Sequence, residues 1–425
     1  MSHSPLLLQI VVILGTARLL GFLLRYLGQA SVIGEMAAGF VVGPVVFGAL
    51  APDLHAHIFA PQSLGMLNGL SQLGLVLFMF IVGAELRLPS GVQRHLFAAG
   101  RIGVLSVAVP MVLGLPMAAL LYDSLAPAGV AFWPFALFMA ASVSITAFPV
   151  MARILKDRGM THTTVGRLGL TGAAVADVLA WLMLAAVLIL ASSTGEWSQL
   201  ARTVGGLAVL IAVLFLGVKP LIARVIQRYA SNGRPEGALL ATLLIGTFAS
   251  AYITDLLGVH AVFGAFVFGA CLPRDDRLLA ALIERIEHIA ILVLMPLFFA
   301  LAGLSTTSDA FVGTGLGALL LILGVAIAGK LVGSAVAARF AGQSWRTSLA
   351  VGSLMNARGM MELIAIKVGL DIGVIGRDLF TMLMVMAIVT TVMTGPLLTL
   401  FAQPEASPQP GLPPATDRPA SRHDE

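Results

Sequence analysis

The stretch SVSITAFPVMARILKDRGMTHTTVGRLGLTGAAVADVLAW, residues 142–181, decides how this chain folds. Its first third is apolar enough to span a membrane, but Thr146 and Pro149 interrupt it and a basic turn follows. The next apolar helix carries one carboxylate, Asp177, near its middle. An ionised carboxylate is costly at bilayer depth, and a broken helix exposes backbone groups to an ion. The pattern predicts that Asp177 binds a proton and a small cation in turn.

The composition is that of an integral membrane protein. Of the 425 residues, 58% are hydrophobic and 11% are charged, against ~25% charged in soluble domains. The single cysteine, Cys271, excludes an intramolecular disulfide and any multi-cysteine metal site. The N-terminus has no basic n-region and no small-residue cleavage site, so we expect a first span rather than a signal peptide. The net charge of +4 lies mostly in short loops, which indicates membrane orientation and no nucleic-acid partner.

Apolar segments of ~20 residues predict an all-α protein with about thirteen transmembrane helices over residues 1–402. The predicted centres are Gly15, Phe40, Leu77, Val112, Ser144, Val178, Leu214, Leu244, Phe266, Val293, Val325, Leu363 and Val389. Helix 12 is interrupted by MNARGMMELI, residues 355–364, as helix 5 is by Thr146 and Pro149. The tail, 403–425, is rich in Pro, Ala and Ser, which predicts a disordered cytoplasmic segment.

Basic residues fall in every second predicted loop, for example at Arg25, Arg153 and Arg339. The positive-inside rule then predicts an external N-terminus, a cytoplasmic C-terminus and an odd number of spans in a plasma (inner) membrane.

Two pairs of segments indicate an internal repeat. AGFVVGP, residues 38–44, resembles GAFVFGA, residues 264–270, and LFMFIVGAEL, residues 77–86, resembles LFFALAGLS, residues 297–305. In both halves an interrupted helix follows the second segment, and the predicted orientation makes the repeat inverted. Matched interruptions in inverted halves point to the binding site of a transporter.

Asp177 is the first candidate ligand, and its alternative role is a carboxylate neutralised by a buried Lys or Arg for assembly alone. Burial favours the neutral carboxyl and a nearby cation favours the ionised one, so the group can exchange a proton for an ion. Its hard oxygens suit Na⁺ or K⁺. Thr146 and Ser144, with Ser142, are candidate uncharged ligands, although hydroxyls in membrane helices often bond to their own backbone.

Lys330 is predicted to lie too deep in helix 11 to reach the membrane surface, so Asp177 or Glu362 is its expected partner. Whether it is structural or takes part in transport stays open. Arg358 and Glu362 are four residues apart and can pair on one helix face. With Asn356 they are expected to neutralise half-helix ends, Arg358 at a C-terminal end.

The remaining ionisable residues are expected nearer to the span ends. Glu35 and Asp255 are predicted to be interfacial, and Glu287 is a candidate for a cytoplasmic funnel that attracts cations. His260 can titrate near neutral pH and act as a sensor, although a lone histidine at a helix end is usually just solvated.

The chain contains no Walker A motif, no catalytic-serine elbow and no HExxH motif. No catalytic residue and no cofactor are therefore expected, and an ATP-driven pump or a membrane hydrolase has no support.

Five ordered blocks carry a family resemblance: FPVMARIL (148–155), VGRLGLTGAAVADVLAWLMLA (165–185), MPLFFALAGLST (295–306), AGKLVG (328–333) and MNARGMMELI (355–364). They resemble the monovalent cation:proton antiporter-2 family, in particular the plant cation/H⁺ exchangers and the bacterial Kef-type or sodium/proton exchangers. The resemblance implies a homodimer in which core domains move like an elevator against a dimerisation domain, and two crossing discontinuous helices. It also implies that Asp177 is the essential ion-binding aspartate, Thr146 the ligand on the crossing helix and Lys330 the basic residue of the site.

The chain departs from many relatives in two respects. Ala176 precedes Asp177 where relatives carry a second acid or an amide, so a single carboxylate predicts electroneutral one-for-one exchange unless Lys330 also releases a proton. The nucleotide-sensing domain of potassium-efflux relatives is not present in the sequence, so regulation by NAD(H) or glutathione adducts is not expected.

The alternative function is proton-driven export of an ionophore antibiotic or another organic molecule. A passive channel or a non-transporting sensor is a third possibility. The choice between Na⁺ and K⁺ stays open.

Overall fold

The structure is a computed structural model that describes residues 5–85, 96–161, 163–192, 197–229, 237–258, 260–273 and 276–402. Within these ranges the chain is helical and contains no strand, which confirms the predicted all-α fold. The helices, in chain order, are α1 Pro5–Tyr26, α2 Ser31–Val42, α3 Pro52–Ile58, α4 Leu64–Glu85, α5 Leu96–Leu125, α6 Phe132–Ser142, α7 Phe148–Asp157, α8 Thr164–Ser192, α9 Trp197–Ala212, α10 Lys219–Tyr229, α11 Gly237–Leu256, α12 Ala261–Ala270, α13 Asp276–Ile289, α14 Met295–Leu304, α15 Gly315–Phe340, α16 Trp345–Met355, α17 Met360–Asp371 and α18 Arg377–Phe401. The predicted tail, 403–425, lies outside the described residues.

Nine helical stretches in the described ranges are long and apolar enough to cross a membrane, and three shorter apolar helices accompany them. Each predicted centre lies in a helical segment, apart from Ser144, which lies between α6 and α7. Two of these segments continue through π-helical turns, Val213–Val218 between α9 and α10 and Ala290–Leu294 between α13 and α14. The count of thirteen crossings stays a prediction.

The helices pack as two groups. In the core group, α15 packs most extensively on α5, and the broken helices α6–α7 and α16–α17 lie beside α8 and α18. In the scaffold group, α1 and α14 pack on α2, and α11 and α4 pack on α12, with α3, α9, α10 and α13 alongside. Contacts between the groups are few, which leaves cavities along their boundary.

The repeat segments exchange partners inside the scaffold group. The segment 38–44 begins in α2 and packs on α14, whereas 77–86 lies mainly in α4 and packs on α12. Glycines let the backbones touch: a β-carbon on Gly303 would lie 1.7 Å from the carbonyl oxygen of Gly39, and one on Gly83 would lie 2.1 Å from that of Phe266. Each first-half segment thus meets the non-equivalent segment of the second half, as expected for two repeats related by a two-fold axis.

The two broken helices cross at their breaks. Helix α6 ends at Ser142 and α7 begins at Phe148, and the backbone N–H of Ala147 donates a 3.2 Å hydrogen bond to the carbonyl of Ala357 in the other break. Pro149 is the second residue of α7, where a missing N–H leaves no helical acceptor unpaired. The proline therefore helps to start the second half-helix instead of interrupting a continuous one.

Candidate ion-binding site

Asp177 lies on α8 beside the start of α7. Its side chain is 3% exposed, and its carboxyl group lies near the backbone N–H of Phe148, the first residue of α7. A helix N-terminus attracts anions through its free N–H groups and its dipole. Its Oδ1 is buried and has no hydrogen-bond partner among the described residues. The carboxyl group thus lies beside a helix N-terminus and keeps an oxygen, Oδ1, to which a proton or a cation can bind.

A small cavity adjoins Asp177. Its volume is about 10 Å³, which is roughly the space that one water molecule needs. Apart from Asp177, its described lining residues are apolar: Ile145, Ala180, Leu184, Met361 and Ala365. The described residues contain no group of three or more His, Cys, Asp or Glu that could hold a metal ion. In this arrangement the cavity has the volume of one water molecule or one small monovalent ion.

Lys330 is fully buried on α15, and its ammonium donates a 2.5 Å hydrogen bond to the hydroxyl oxygen of Thr146 in the first break. In the described structure no ion pair within 4.0 Å joins Lys330 to Asp177 or to Glu362, the two partners that the sequence suggested. Lys330 therefore acts on Asp177 through the electrostatic field across the site rather than through a salt bridge. Thr146 keeps its own hydroxyl proton and a second lone pair for another neighbour.

Ser142, the last residue of α6, and Ser144, in the break, both donate their hydroxyl protons to carbonyls of α6. Ser142 donates to the carbonyl of Phe138 at 2.8 Å, and Ser144 donates to that of Ala140 at 2.6 Å. Both hydroxyls thus follow the back-bonding alternative that is common in membrane helices. Thr146 differs from both, because its oxygen faces Lys330.

Arg358 joins the two breaks. It is fully buried, and its guanidinium donates to the carbonyls of Ser142 at 2.9 Å and Val143 at 2.6 Å, which stand at the end of α6. It also pairs with Glu362 at 3.0 Å. The arginine thereby stands at a helix C-terminus and the glutamate in the first turn of α17, the ends that favour their respective charges.

Two threonines of α18 support the second break, and the sequence reasoning did not single them out. Asn356 donates its side-chain amide to the carbonyl of Thr390 at 3.2 Å. The hydroxyl of Thr391 accepts from the N–H of Arg358 at 2.9 Å, and its single proton is shared between the carbonyls of Ala387 at 2.6 Å and Arg358 at 2.9 Å. Adjacent threonines inside an apolar span are the only sequence signal that could have found them.

A larger cavity, of about 560 Å³, lies between the two helix groups and reaches Phe148 at the start of α7. Glu287 lines it, together with Arg153 and Lys156 of α7. Glu35 of α2 lines it as well. Its side chain is only 6% exposed and its Oε2 has no hydrogen-bond partner among the described residues, so this acid is buried within the protein.

His260 precedes α12, outside the apolar helices. Burial lowers the pKa of its imidazole, and the nearby carboxylates of Asp371 and Asp255 oppose this effect. Its Nδ1 has no hydrogen-bond partner in the described structure. Asp371 belongs to the core group and Asp255 to the scaffold group, so His260 lies at their boundary.

Two crossing broken helices, inverted repeats and a buried carboxylate at the crossing define the class of secondary transporters with discontinuous helices. The sodium/hydrogen exchanger transmembrane family model matches residues 11–403, and the chain belongs to this family.

Individual relatives agree with this assignment. The chain is 38% identical over 395 residues to the Na(+)/H(+) antiporter NhaS4 of Synechocystis, with 92% of this chain and 96% of that protein covered. It is 35% identical over 413 residues to the K(+)/H(+) antiporter 1 of Saccharomyces cerevisiae, with 94% of this chain covered but only 47% of the yeast protein. Its fold matches the sodium proton antiporter MjNhaP1 of Methanocaldococcus jannaschii with a TM-score of 0.59 at 16% identity, over 93% and 96% of the two chains. The chain thus spans about half the length of some of its curated relatives.

Proposed function

We propose that this protein exchanges a monovalent cation, Na⁺ or K⁺, for a proton, and that the two compete for Asp177. The observation that carries the proposal is the state of this carboxyl group, which is buried, lies next to the start of α7 and is free of a partner at Oδ1. A proton or a dehydrated cation can occupy that position, but not both. The adjoining space suits one small ion, which favours cation exchange over export of an organic molecule.

The stoichiometry follows from the number of ionisable groups at the site. Ala176 supplies no second acid next to Asp177, so one proton is released for each monovalent cation bound. Exchange is then electroneutral and does not respond to membrane voltage, provided that the Lys330 ammonium stays charged.

The transport movement is of the elevator type, in which the core group moves against the scaffold group. The sparse contacts between the groups support this, and so does the cavity between them, which gives ions a route towards Phe148 and Asp177. The protein would work as a homodimer in the plasma (inner) membrane, with its N-terminus outside, its C-terminus inside and a role in pH homeostasis. The relatives include both a Na(+)/H(+) and a K(+)/H(+) antiporter, which supports the monovalent cation class without choosing the ion.

Proteoliposomes with a trapped pH dye test the proposal. Wild-type protein is expected to dequench the dye when Li⁺, Na⁺, K⁺ or Rb⁺ is added, with a preference that identifies the substrate. Asp177→Asn should abolish the response, whereas Asp255→Asn, an exposed acid of the scaffold group, should retain it. Full cation-stimulated proton flux in Asp177→Asn would refute the competition, and a rate that depends on an imposed voltage would refute electroneutrality.

A further inference from the structure

A second cavity between the helix groups, of about 260 Å³, carries two guanidinium groups. Its scaffold wall contains Arg25, Gly28 and Gln29 at the end of α1, and its core wall contains Arg158 and Gly395. None of its described lining residues is acidic. The sequence places Arg25 and Arg158 in two different basic loops, and the fold brings both loops to one cavity.

The two arginines leave this cavity positively charged. Neither forms an ion pair with a carboxylate of the described residues, and Arg158 uses only Nη1, in a 3.0 Å hydrogen bond to the hydroxyl of Thr399. Both arginines also stand at helix C-termini, each of which carries roughly −0.5 charge. The two helix C-termini together carry roughly −1 charge, which offsets about half of the +2 charge of the two guanidinium groups. A net charge of about +1 therefore faces the cavity.

We propose that this cavity binds a phosphate group, as the headgroup of an anionic lipid or as free phosphate. Guanidinium groups present paired N–H donors that match phosphate oxygens, and basic pockets between membrane helices bind anionic headgroups. The side chains of Arg158 and Gln29 converge at Gly395: a β-carbon there would lie 3.1 Å from Nη2 of Arg158 and 3.2 Å from Oε1 of Gln29.

The surroundings of the cavity favour the lipid as the source. Leu23 and Leu27 of the α1 end are 47% and 70% exposed, and Leu400 of α18 is 62% exposed. Leu23 and Leu27 flank Arg25 in the sequence and Leu400 follows Thr399, the partner of Arg158, so these apolar side chains offer acyl chains a surface near the two arginines. A bound phosphate would contact α1 of the scaffold group and the end of α7 in the core group, and so hold the two groups in the arrangement seen here.

A binding titration tests this site without measuring any transport. Purified protein in maltoside detergent is titrated with dihexanoyl phosphatidylglycerol, dihexanoyl phosphatidylcholine or inorganic phosphate. We expect phosphatidylglycerol to bind and phosphatidylcholine not to bind. In Arg25→Gln/Arg158→Gln the Kd for phosphatidylglycerol should rise by at least ~10-fold, because each lost charge-assisted hydrogen bond accounts for about that factor. Arg285→Gln/Arg346→Gln removes the same charge at exposed positions outside the cavity and should bind like the wild type.

A second variant guards against misfolding of the first. Gly395→Leu keeps both arginines but fills the cavity, and a β-carbon there meets only the movable ends of Arg158 and Gln29. It should also lose binding. Inorganic phosphate that binds as tightly as phosphatidylglycerol would identify free phosphate as the ligand of the same site. Wild-type affinity in Arg25→Gln/Arg158→Gln, or an equal loss in the Arg285/Arg346 control, would overturn the proposal.

Discussion

The ammonium of Lys330 donates a 2.5 Å hydrogen bond to the hydroxyl of Thr146, across 184 residues of sequence. This bond gives a deeply buried cation a defined acceptor in the first break. Thr146→Val keeps the shape of the side chain but leaves that ammonium without its acceptor, so we expect a loss of ~1–3 kcal/mol in the free energy of unfolding. Thermal unfolding of the purified protein measures the loss.

The matched control for this substitution is Thr247→Val. Thr247 is equally buried, but its hydroxyl donates only to the carbonyl of Leu243 in its own helix at 2.8 Å. Its replacement should change stability much less. Equal losses in the two variants would mean that the contact between Lys330 and Thr146 contributes nothing beyond a buried hydroxyl.

Glu35 contributes a negative charge to the cavity that reaches Phe148. Glu35→Gln keeps the volume and removes the charge, which lowers the local concentration of cations. We expect the apparent KM for the cation to rise several-fold while the maximal rate changes less, since the substitution acts before the ion reaches Asp177. Dye dequenching at graded cation concentrations measures both quantities.

Glu284→Gln is the control, because Glu284 is exposed and outside the described lining of this cavity. An unchanged KM in Glu35→Gln would exclude Glu35 from the ion route. A fall in maximal rate alone would indicate a role in the movement of the helix groups.

Arg358 and Glu362 form a buried ion pair, and we expect the contribution of each residue to the free energy of unfolding to depend on the presence of the other. Arg358→Met leaves a buried carboxylate and two backbone carbonyls unpaired, so we expect a loss of ~3–5 kcal/mol in the free energy of unfolding. The double variant Arg358→Met/Glu362→Met removes both charges and should recover part of that loss. Denaturant unfolding of four proteins, the wild type, Arg358→Met, Glu362→Met and the double variant, measures the coupling, and strictly additive losses would contradict it.

The lowered pKa of the His260 imidazole predicts how the stability of the protein depends on pH. Burial lowers the pKa of this imidazole below the 6.5 of an unperturbed histidine, so below that pH the unfolded state binds more protons than the folded state. Stability should therefore fall as the pH decreases from about 6.5. His260→Asn removes this contribution, and its unfolding temperature should decline less steeply than that of the wild type.

A scan of unfolding temperature from about pH 5 to pH 8 covers the relevant window. His57→Asn, a substitution of an exposed histidine in α3, controls for the loss of an imidazole elsewhere. Identical slopes in the wild type and His260→Asn would show that His260 does not contribute to the pH response.

The sequence was informative where an apolar span contains a residue that does not belong in lipid. Asp177, Lys330, Arg358 and the two breaks stand out for this reason, and the fold places the breaks where they were predicted. The partner of Lys330 was not predictable, because it depends on the angle at which α15 crosses the first break. The burial of Glu35 was not predictable either, because it depends on how closely the scaffold helices approach one another.

The glycine contacts of the scaffold group impose a constraint that a search for reactive residues would overlook. At Gly303 and Gly83 any side chain would collide with the backbone of a facing helix. Both positions are chemically inert, yet neither tolerates the smallest enlargement. A substitution there that stopped transport would report the spacing of two helices, and it would mislead anyone who took loss of activity as a sign of contact with the ion.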